Sequence, residues 1–309
     1  MDCRKAALLK RAAFFVLALA SGPLPAEESS KPVTVVFYNL KNYLAMERRV
    51  GGEIVADAPK PDAEIKALIA GIVEIQPDIL GVCEIGDAAY LADFQARLKA
   101  AGVDLPNTEL VTAASGYNRN LALLTRFPIA SRNSRDDYSY MIGDQRFPFQ
   151  RGVLDVTVAI NPSYHLRYVG LHLKSKREVP EADQALMRLN EARLARDHID
   201  QIFKIESGTN LLVTGDFNDL RMEPPVKALQ GGFGRQEHLT GLTLKDKYGF
   251  RWTHHWSFAD SYSRFDFALY SKGLAPELDR DNCRIFHWDD WDTASDHRPL
   301  VLSIVPEDR

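Results

Sequence analysis

An α/β domain in which β-sheets are covered by helices is expected from this chain. Short β-branched and aromatic runs recur between residues 33 and 305, and stretches with apolar residues at helical spacing lie between them. After residue 26 there is no repeat of fixed period and no low-complexity tract. The composition, 45% hydrophobic and 26% charged, is that of a globular protein and excludes a disordered or collagen-like chain. Two domains would fit into 309 residues, but one large α/β unit over 33–305 is the expectation, because large α/β folds often occupy such a length as one unit.

The first residues read as an export signal rather than as fold. Arg4, Lys5, Lys10 and Arg11 precede the apolar run AAFFVLALA (12–20), and small residues in SGPLPA (21–26) follow. These are the three parts of a secretory signal peptide, and the run is too short for a membrane span of about 20 residues. Residues 1–26 are therefore expected to be removed and 27–32 (EESSKP) to form a short linker, which places the protein outside the cell or in a periplasm. Removal takes four basic residues and one acid from totals of 38 and 42, leaving 34 and 41, a net charge of −7. Such an acidic chain is a poor general polyanion coat, since phosphate affinity comes mainly from Lys and Arg. Cys83 and Cys283 would remain. Cys83 sits in an apolar run, so two unpaired thiols are expected, and no zinc spacing is present.

The elements follow in order. VTVVFYNL (33–40) reads as a buried strand, and the Gly-containing 47–58 as a loop. Ile65, Leu68, Ile69, Ile72 and Val73 share one helix face, which Pro77 ends. DILGVC (78–83) is a second buried strand, and 88–100 a second helix. LALLT (121–125), VLDVTVAI (153–160) and LRYVGLHL (166–173) are strands. Residues 181–205 form the longest helical pattern, with Leu186, Leu189, Leu194, Ile199 and Ile202 on one face. NLLVTGDF (210–217), FDFALYS (265–271) and PLVLSIV (299–305) complete the strands.

Polar residues fall at the ends of these strands, where open α/β sheets place ligands. In GDFND (215–219), Asp216 and Asn218 are two apart and share a face in extended chain, able to orient a water and hold a phosphate oxygen. In TASDHRPL (293–300), Asp296 and His297 set an acid beside an imidazole that works as acid or base near neutrality. Glu84 follows a buried run, and a carboxylate there suits Mg²⁺, which binds through one or two carboxylates plus waters and substrate phosphate. His172 ends its strand in GLHLKSK (170–176), and Asn39 ends the first strand. Asp266 in SRFDFAL (263–269) is a buried acid needing a partner, for which an imidazole is the expected choice. Each alone has a structural reading: an Asx turn, a strand cap or a satisfied core histidine.

Taken together, Asn39, Glu84, His172, GDFND, SRFD and SDHRP resemble, in order, the endonuclease/exonuclease/phosphatase superfamily over residues 32–305. That superfamily includes deoxyribonuclease I, abasic-site endonucleases, neutral sphingomyelinases and inositol polyphosphate 5-phosphatases. The resemblance implies a four-layer sandwich: two mixed, mainly antiparallel β-sheets packed face to face, with helices on both outer sides. It implies a metal-dependent hydrolase that cleaves phosphate esters by in-line attack of water. It implies that Glu84 holds Mg²⁺, or alternatively Mn²⁺, with Asn39 beside it and Asp296 completing the network. His297 would be general base or transition-state stabiliser and Asp266 would orient it. Asp216 would position the water, Asn218 hold a phosphate oxygen, and His172 and Arg151 reach the scissile phosphate. Arg119 and Asn120 match a substrate-contacting region more loosely. No clear counterpart exists for the tyrosine with which several nucleases touch the phosphate, although Tyr117 and Tyr138 lie near.

The segment RWTHHWSFADSYSR (251–264) is rich in His and Trp. Its aromatics would either stack a base or fill a loop core, and adjacent His254 and His255 point to opposite faces, which argues against a joint metal site. The leading expectation is an exported, monomeric, Mg²⁺-dependent nuclease or phosphodiesterase with DNA or RNA as substrate and no stable membrane span. A phosphomonoesterase or lipid phosphodiesterase is the second, and a non-enzymatic binding module the third.

Overall fold

A computed structural model describes residues 31–308; the expected signal peptide and the first part of the linker lie outside them. The chain runs through β1 (Val33–Tyr43), a hairpin of β2 (Met46–Val50) and β3 (Glu53–Ala58), α1 (Asp62–Ile75), β4 (Ile79–Ile85), α2 (Ala88–Ala100), β5 (Asn107–Val111), β6 (Asn120–Thr125) and β7 (Ile129–Arg132). A second hairpin, β8 (Ser139–Ile142) and β9 (Gln145–Pro148), leads to β10 (Leu154–Asn161), β11 (Tyr164–His172), α3 (Gln184–Ile205), β12 (Leu211–Asp216) and α4 (Pro224–Gln230). The last part holds β13 (Thr240–Gly241), a third hairpin of β14 (His254–Trp256) and β15 (Ser261–Ser263), β16 (Asp266–Tyr270), β17 (Arg284–Ile285), α5 (Trp291–Ala294) and β18 (Leu300–Ile304).

Two six-stranded sheets form, ordered β17-β18-β1-β4-β6-β5 and β13-β16-β12-β11-β10-β7. Each has one parallel pair at its centre, β1 with β4 and β11 with β12, and is otherwise antiparallel. The apolar runs are continuous because both faces of the central strands are buried. Along β1, Val33, Val35 and Phe37 enter the core between the sheets, where they meet Val156, Tyr168 and Leu212 of the second sheet. The alternate residues Val36, Tyr38 and Leu40 pack outward with Ile65, Leu68 and Ile72 of α1 and Phe94 of α2. On the opposite outer face, Val169, Leu171 and Val213 pack under Ala192, Ala195, Ile199 and Ile202 of α3 and Val226 of α4. The result is helix, sheet, sheet, helix, the four-layer sandwich that the resemblance implied.

At Gly81 of β4 the absence of a side chain makes room for Tyr168 of the facing sheet. A Cβ there would lie 1.8 Å from the Tyr168 hydroxyl, which is itself hydrogen-bonded to Thr214. Gly81→Ala is therefore expected to destabilise the fold by about 1–3 kcal/mol through overpacking. Urea unfolding with an unchanged midpoint would contradict this.

Two expectations need correction. Residues 47–58, read as a loop, mostly form the β2–β3 hairpin, because Gly51 and Gly52 at its turn take φ of 61° and 94°, a conformation glycine adopts freely. The face expected of α3 is only partly right: Ile199 and Ile202 are buried and Leu194 packs against the core, but the buried face is centred away from Leu186. Leu186 is 39% exposed, while Met187, Arg188, Glu191, Ala192, Ala195, Arg196, His198, Ile199, Ile202 and Phe203 are buried. Apolar counting missed that centre because four of the buried residues are charged or titratable. The thiols behave as expected: both are free, with Cys83 wholly buried and Cys283 half-buried.

Candidate active site

The parallel pairs bring their C-terminal ends together. In the second sheet His172 of β11 stands in register with Asp216 of β12, and Asp216 with Asp266 of β16. In the first sheet Asn39 of β1 pairs with Cys83 of β4, so Glu84 follows directly. A bond from Asn39 Nδ2 to Asp216 Oδ2 (3.1 Å) joins the two sheets. His297 enters from the segment before β18, fixed by its backbone amide donating to Ser295 Oγ (3.1 Å), while that hydroxyl donates to the Asn39 carbonyl (2.9 Å).

One carboxylate oxygen is the focus. Asp216 Oδ2 lies 3.7 Å from both His172 Nε2 and His297 Nε2. Asp216 Oδ1 accepts from the Asn218 amide (2.9 Å), and Asn218 Nδ2 spends one of its two N–H bonds on the Leu173 carbonyl (2.9 Å). His297 Nδ1 donates to Asp266 Oδ2 (2.8 Å), which leaves Nε2 directed at Asp216. Asp266 is itself held by its amide donating to Thr253 Oγ1 (3.1 Å). Glu84 Oε2 accepts from the Asn42 amide (3.0 Å), and its Oε1 lies 3.9 Å from His172 Nε2. Four of the left-handed non-glycine residues, Lys41, Asn42, Glu84 and Asn218, are gathered here. Backbone strain of this kind persists where the surroundings over-determine a functional geometry.

The charges follow from burial. Burial alone would deprotonate His297, but Asp266 and then Asp216 outweigh it and raise its pKa to about 10. Burial raises the Asp216 carboxyl; the His297 cation opposes this, while Asp266 and Glu84 add to it. His172 is pushed well below the usual histidine range by burial, then by Arg151, His297 and Arg119. The site thus pairs one imidazolium with one neutral imidazole. In metal-free protein, His297 binds a proton more tightly folded than unfolded. Its stabilisation is fully present below about pH 6.5 and is lost as pH rises towards about 10. The Tm of EDTA-treated protein is therefore expected to fall across that window, more steeply than in His297→Asn. Parallel profiles for the two proteins would contradict the assignment.

The other expected residues are placed as follows. Arg151 is buried beside the site, with Nη1 on Gln150 Oε1 (2.7 Å) and Nε without a protein partner. Asp296 stands at the rim, 4.0 Å from His254 Nε2. Asn120 is a clip rather than a free contact: its Oδ1 accepts from the Ala113 amide (2.7 Å) and its Nδ2 donates to the Gly86 carbonyl (2.7 Å). Tyr117 joins the site wall, since its hydroxyl accepts from Gln150 Nε2 (2.9 Å), whereas Tyr138 bonds His198 Nδ1 (2.8 Å) on α3. The 251–264 segment divides. Trp252, His255, Tyr262 and Trp291 pack on one another, while Trp256 and Phe258 are 54% and 88% exposed. A cavity of about 690 Å³ opens beside the β2–β3 hairpin, walled by Arg48, Lys60 and Tyr90. Arg48 donates to the carbonyl of Asn42 (2.8 Å), the residue whose amide anchors Glu84.

A divalent ion fits this set. Burial beside Asp266 and Glu84 disfavours the charge on Asp216, and a cation would relieve that repulsion. Among the described residues, Asp216, Asp266 and His297 also form a potential three-ligand group, their donor atoms within 4.8 Å of one another. Asp266 is already engaged by His297 Nδ1, so we read this trio as a hydrogen-bonded Asp266–His297 pair facing Asp216 across 3.7 Å, with Glu84 as the freer oxygen donor.

Fold and site together define a metal-dependent hydrolase of phosphate ester bonds. The chain belongs to the Endonuclease/Exonuclease/phosphatase family, whose sequence pattern matches residues 41–297. Solved structures share the fold. An endonuclease/exonuclease/phosphatase from Bacteroides vulgatus aligns with TM-score 0.65 at 16% identity, covering 90% of this chain and 100% of that one. The human Nocturnin catalytic domain with bound sulfate aligns with TM-score 0.59 at 19% identity, covering 88% and 93%. Sphingomyelinase C from Streptomyces griseocarneus aligns with TM-score 0.59 at 13% identity, covering 89% and 100%. No curated protein matches the chain. Among the described residues, no helix is long and apolar enough to cross a membrane.

Proposed function

We propose that the protein is an exported, monomeric, Mg²⁺-dependent phosphodiesterase with nucleic acid as its first substrate class. The observation that carries this reading is the meeting of His172, Asp216 and the Asp266–His297 pair at one point, with Glu84 alongside. Phosphate-ester hydrolysis asks the protein for an in-line water and for positive charge on the phosphoryl oxygens, and for little covalent chemistry.

In this reading Glu84 and Asn39 hold Mg²⁺, with Mn²⁺ as the alternative, and Asp296 completes the network through water. When bound, the ion neutralises charge on the phosphoryl oxygens and acidifies coordinated water. Asp216 orients the attacking water and takes its proton, a role its raised pKa suits. His297, held as a cation by Asp266, stabilises the transition state. His172, Arg151 and one N–H of Asn218 bind the phosphate oxygens. Arg119, and Arg48 at the cavity wall, extend positive charge along an anionic substrate. Export rests on the charge, apolar and small-residue pattern of residues 1–26.

A second reading, a small phosphomonoester or a lipid phosphodiester as substrate, is favoured by the net charge of −7 after processing and by likeness to a sphingomyelinase. Plasmid DNA, single-stranded DNA, sphingomyelin and p-nitrophenyl phosphate, each with Mg²⁺, Mn²⁺ or EDTA, separate these. Metal-dependent DNA cleavage is expected. Turnover of the other substrates with DNA intact would move the reading to the second class, and no turnover of any would end it. Cell fractionation tests export, and mature protein retained in the cytoplasm would refute that part.

A further inference from the structure

Behind the phosphate-binding side of the site, α3 buries two charged residues one turn apart, Arg188 and Glu191. Glu191 accepts from two backbone amides, that of Gln150 (3.1 Å) and that of Lys174 (2.6 Å). Arg188 donates from Nη1 to the Lys174 carbonyl (3.1 Å) and from Nε to Asp219 Oδ2 (2.9 Å). The helix therefore grips residue 174 by both its amide and its carbonyl. The grip extends to Gln150, next to Arg151, and to Asp219, next to Asn218. The neighbouring residue is a hub as well, since the Leu173 amide donates to the Asp216 carbonyl (3.0 Å) and its own carbonyl accepts from Asn218 Nδ2 (2.9 Å). His172 comes immediately before.

A buried carboxylate and a buried guanidinium are costly to desolvate, and apolar residues would fill the same space more cheaply. These two do not pair with each other by any direct bond. Each instead satisfies the backbone or loop of segments that carry site residues. Burial pushes the Glu191 carboxyl up to about 7, with Arg151 and the two amide bonds holding it back.

We infer that Arg188 and Glu191 are positioning residues: a clamp on α3 that sets His172, Arg151 and Asn218 against the phosphate without touching it. The inference rests on the phosphoesterase reading for its catalytic consequence and on geometry alone for the clamp. Partners that orient site groups typically change activity by about 10–100-fold when altered. Glu191→Gln keeps size and one acceptor but turns an NH₂ towards one of the two amides, so the clamp opens on one side.

The test combines turnover of bis(p-nitrophenyl) phosphate with Mg²⁺, circular dichroism, and the imidazole nitrogen resonances of His172 and His297. Folded Glu191→Gln is expected to lose about 10–100-fold in kcat with KM within about threefold. Its His172 signal is expected to shift while that of His297 stays in place. A kcat within twofold of wild type, or an unmoved His172 signal, would overturn the inference. Should Glu191→Gln not fold, Arg188→Lys carries the same readouts, and failure of both to fold would assign the pair to stability alone and overturn it too. The resonances need no turnover, so an inactive wild type would sink the functional reading and leave the clamp to be judged by the His172 signal.

Discussion

Replacing His297 by alanine is expected to lower kcat by about 10²–10⁴-fold, the range for a group that acts by proton transfer or as a charged donor in the transition state. Its Nε2 faces Asp216 Oδ2 at 3.7 Å, and its Nδ1 is tied to Asp266 (2.8 Å), so the ring has one free nitrogen and one orientation. Alanine also strands the Asp266 carboxylate, whose Oδ1 has no protein partner. Breaking a buried pair by removing one member costs about 3–5 kcal/mol, so the Tm should drop as well. His297→Asn separates the two effects. Its amide can occupy the Nδ1 position and satisfy Asp266, while nothing replaces Nε2. The asparagine variant is expected to recover most of the lost stability and almost none of the lost kcat. Equal kcat in wild type and both variants would remove His297 from the mechanism.

How far the sequence alone reached follows from what each signal measures. Strands such as β1 and β12 were legible because both faces are buried, and an unbroken apolar run survives any uncertainty about register. Asn39, Glu84, His172 and Asp216 stand out in the sequence because a polar residue towards the end of a buried apolar run is conspicuous, whereas Asp266 and His297 stand at or before the start of theirs. Glu191 and Arg188 were not. Within α3 they break the apolar spacing, and hydropathy scores a buried charge as a surface one; only the contacts to Gln150, Lys174 and Asp219 show which way they face. The β2–β3 hairpin was hidden for the opposite reason. Its strands are mostly exposed and carry no core pattern, so Gly51-Gly52 was its one available mark. Asn120 shows a third limit: position near the site was readable, but the engagement of both ends of its amide was not.

Glu84→Gln is expected to reduce kcat/KM by about 10²–10³-fold while leaving the metal-free fold at least as stable as wild type. The first half follows from charge: a bound divalent ion supplies several kcal/mol of transition-state stabilisation, and each ~1.4 kcal/mol is tenfold in rate. The second follows from position. Glu84 adds to the repulsion that raises Asp216, so neutralising it relieves a strain of like charges. Glutamine can still accept from the Asn42 amide, and it keeps a side chain at the left-handed position, φ 61°, where backbone rather than chemistry would otherwise cloud the comparison. Wild type should gain Tm on adding Mg²⁺, because an ion that binds only the folded state stabilises it, and the variant should gain little. A purely structural Glu84 would show the reverse: a lower metal-free Tm, an undiminished response to Mg²⁺ and normal turnover. The opposed signs of these two Tm changes make the residue's role decidable without knowing the natural substrate.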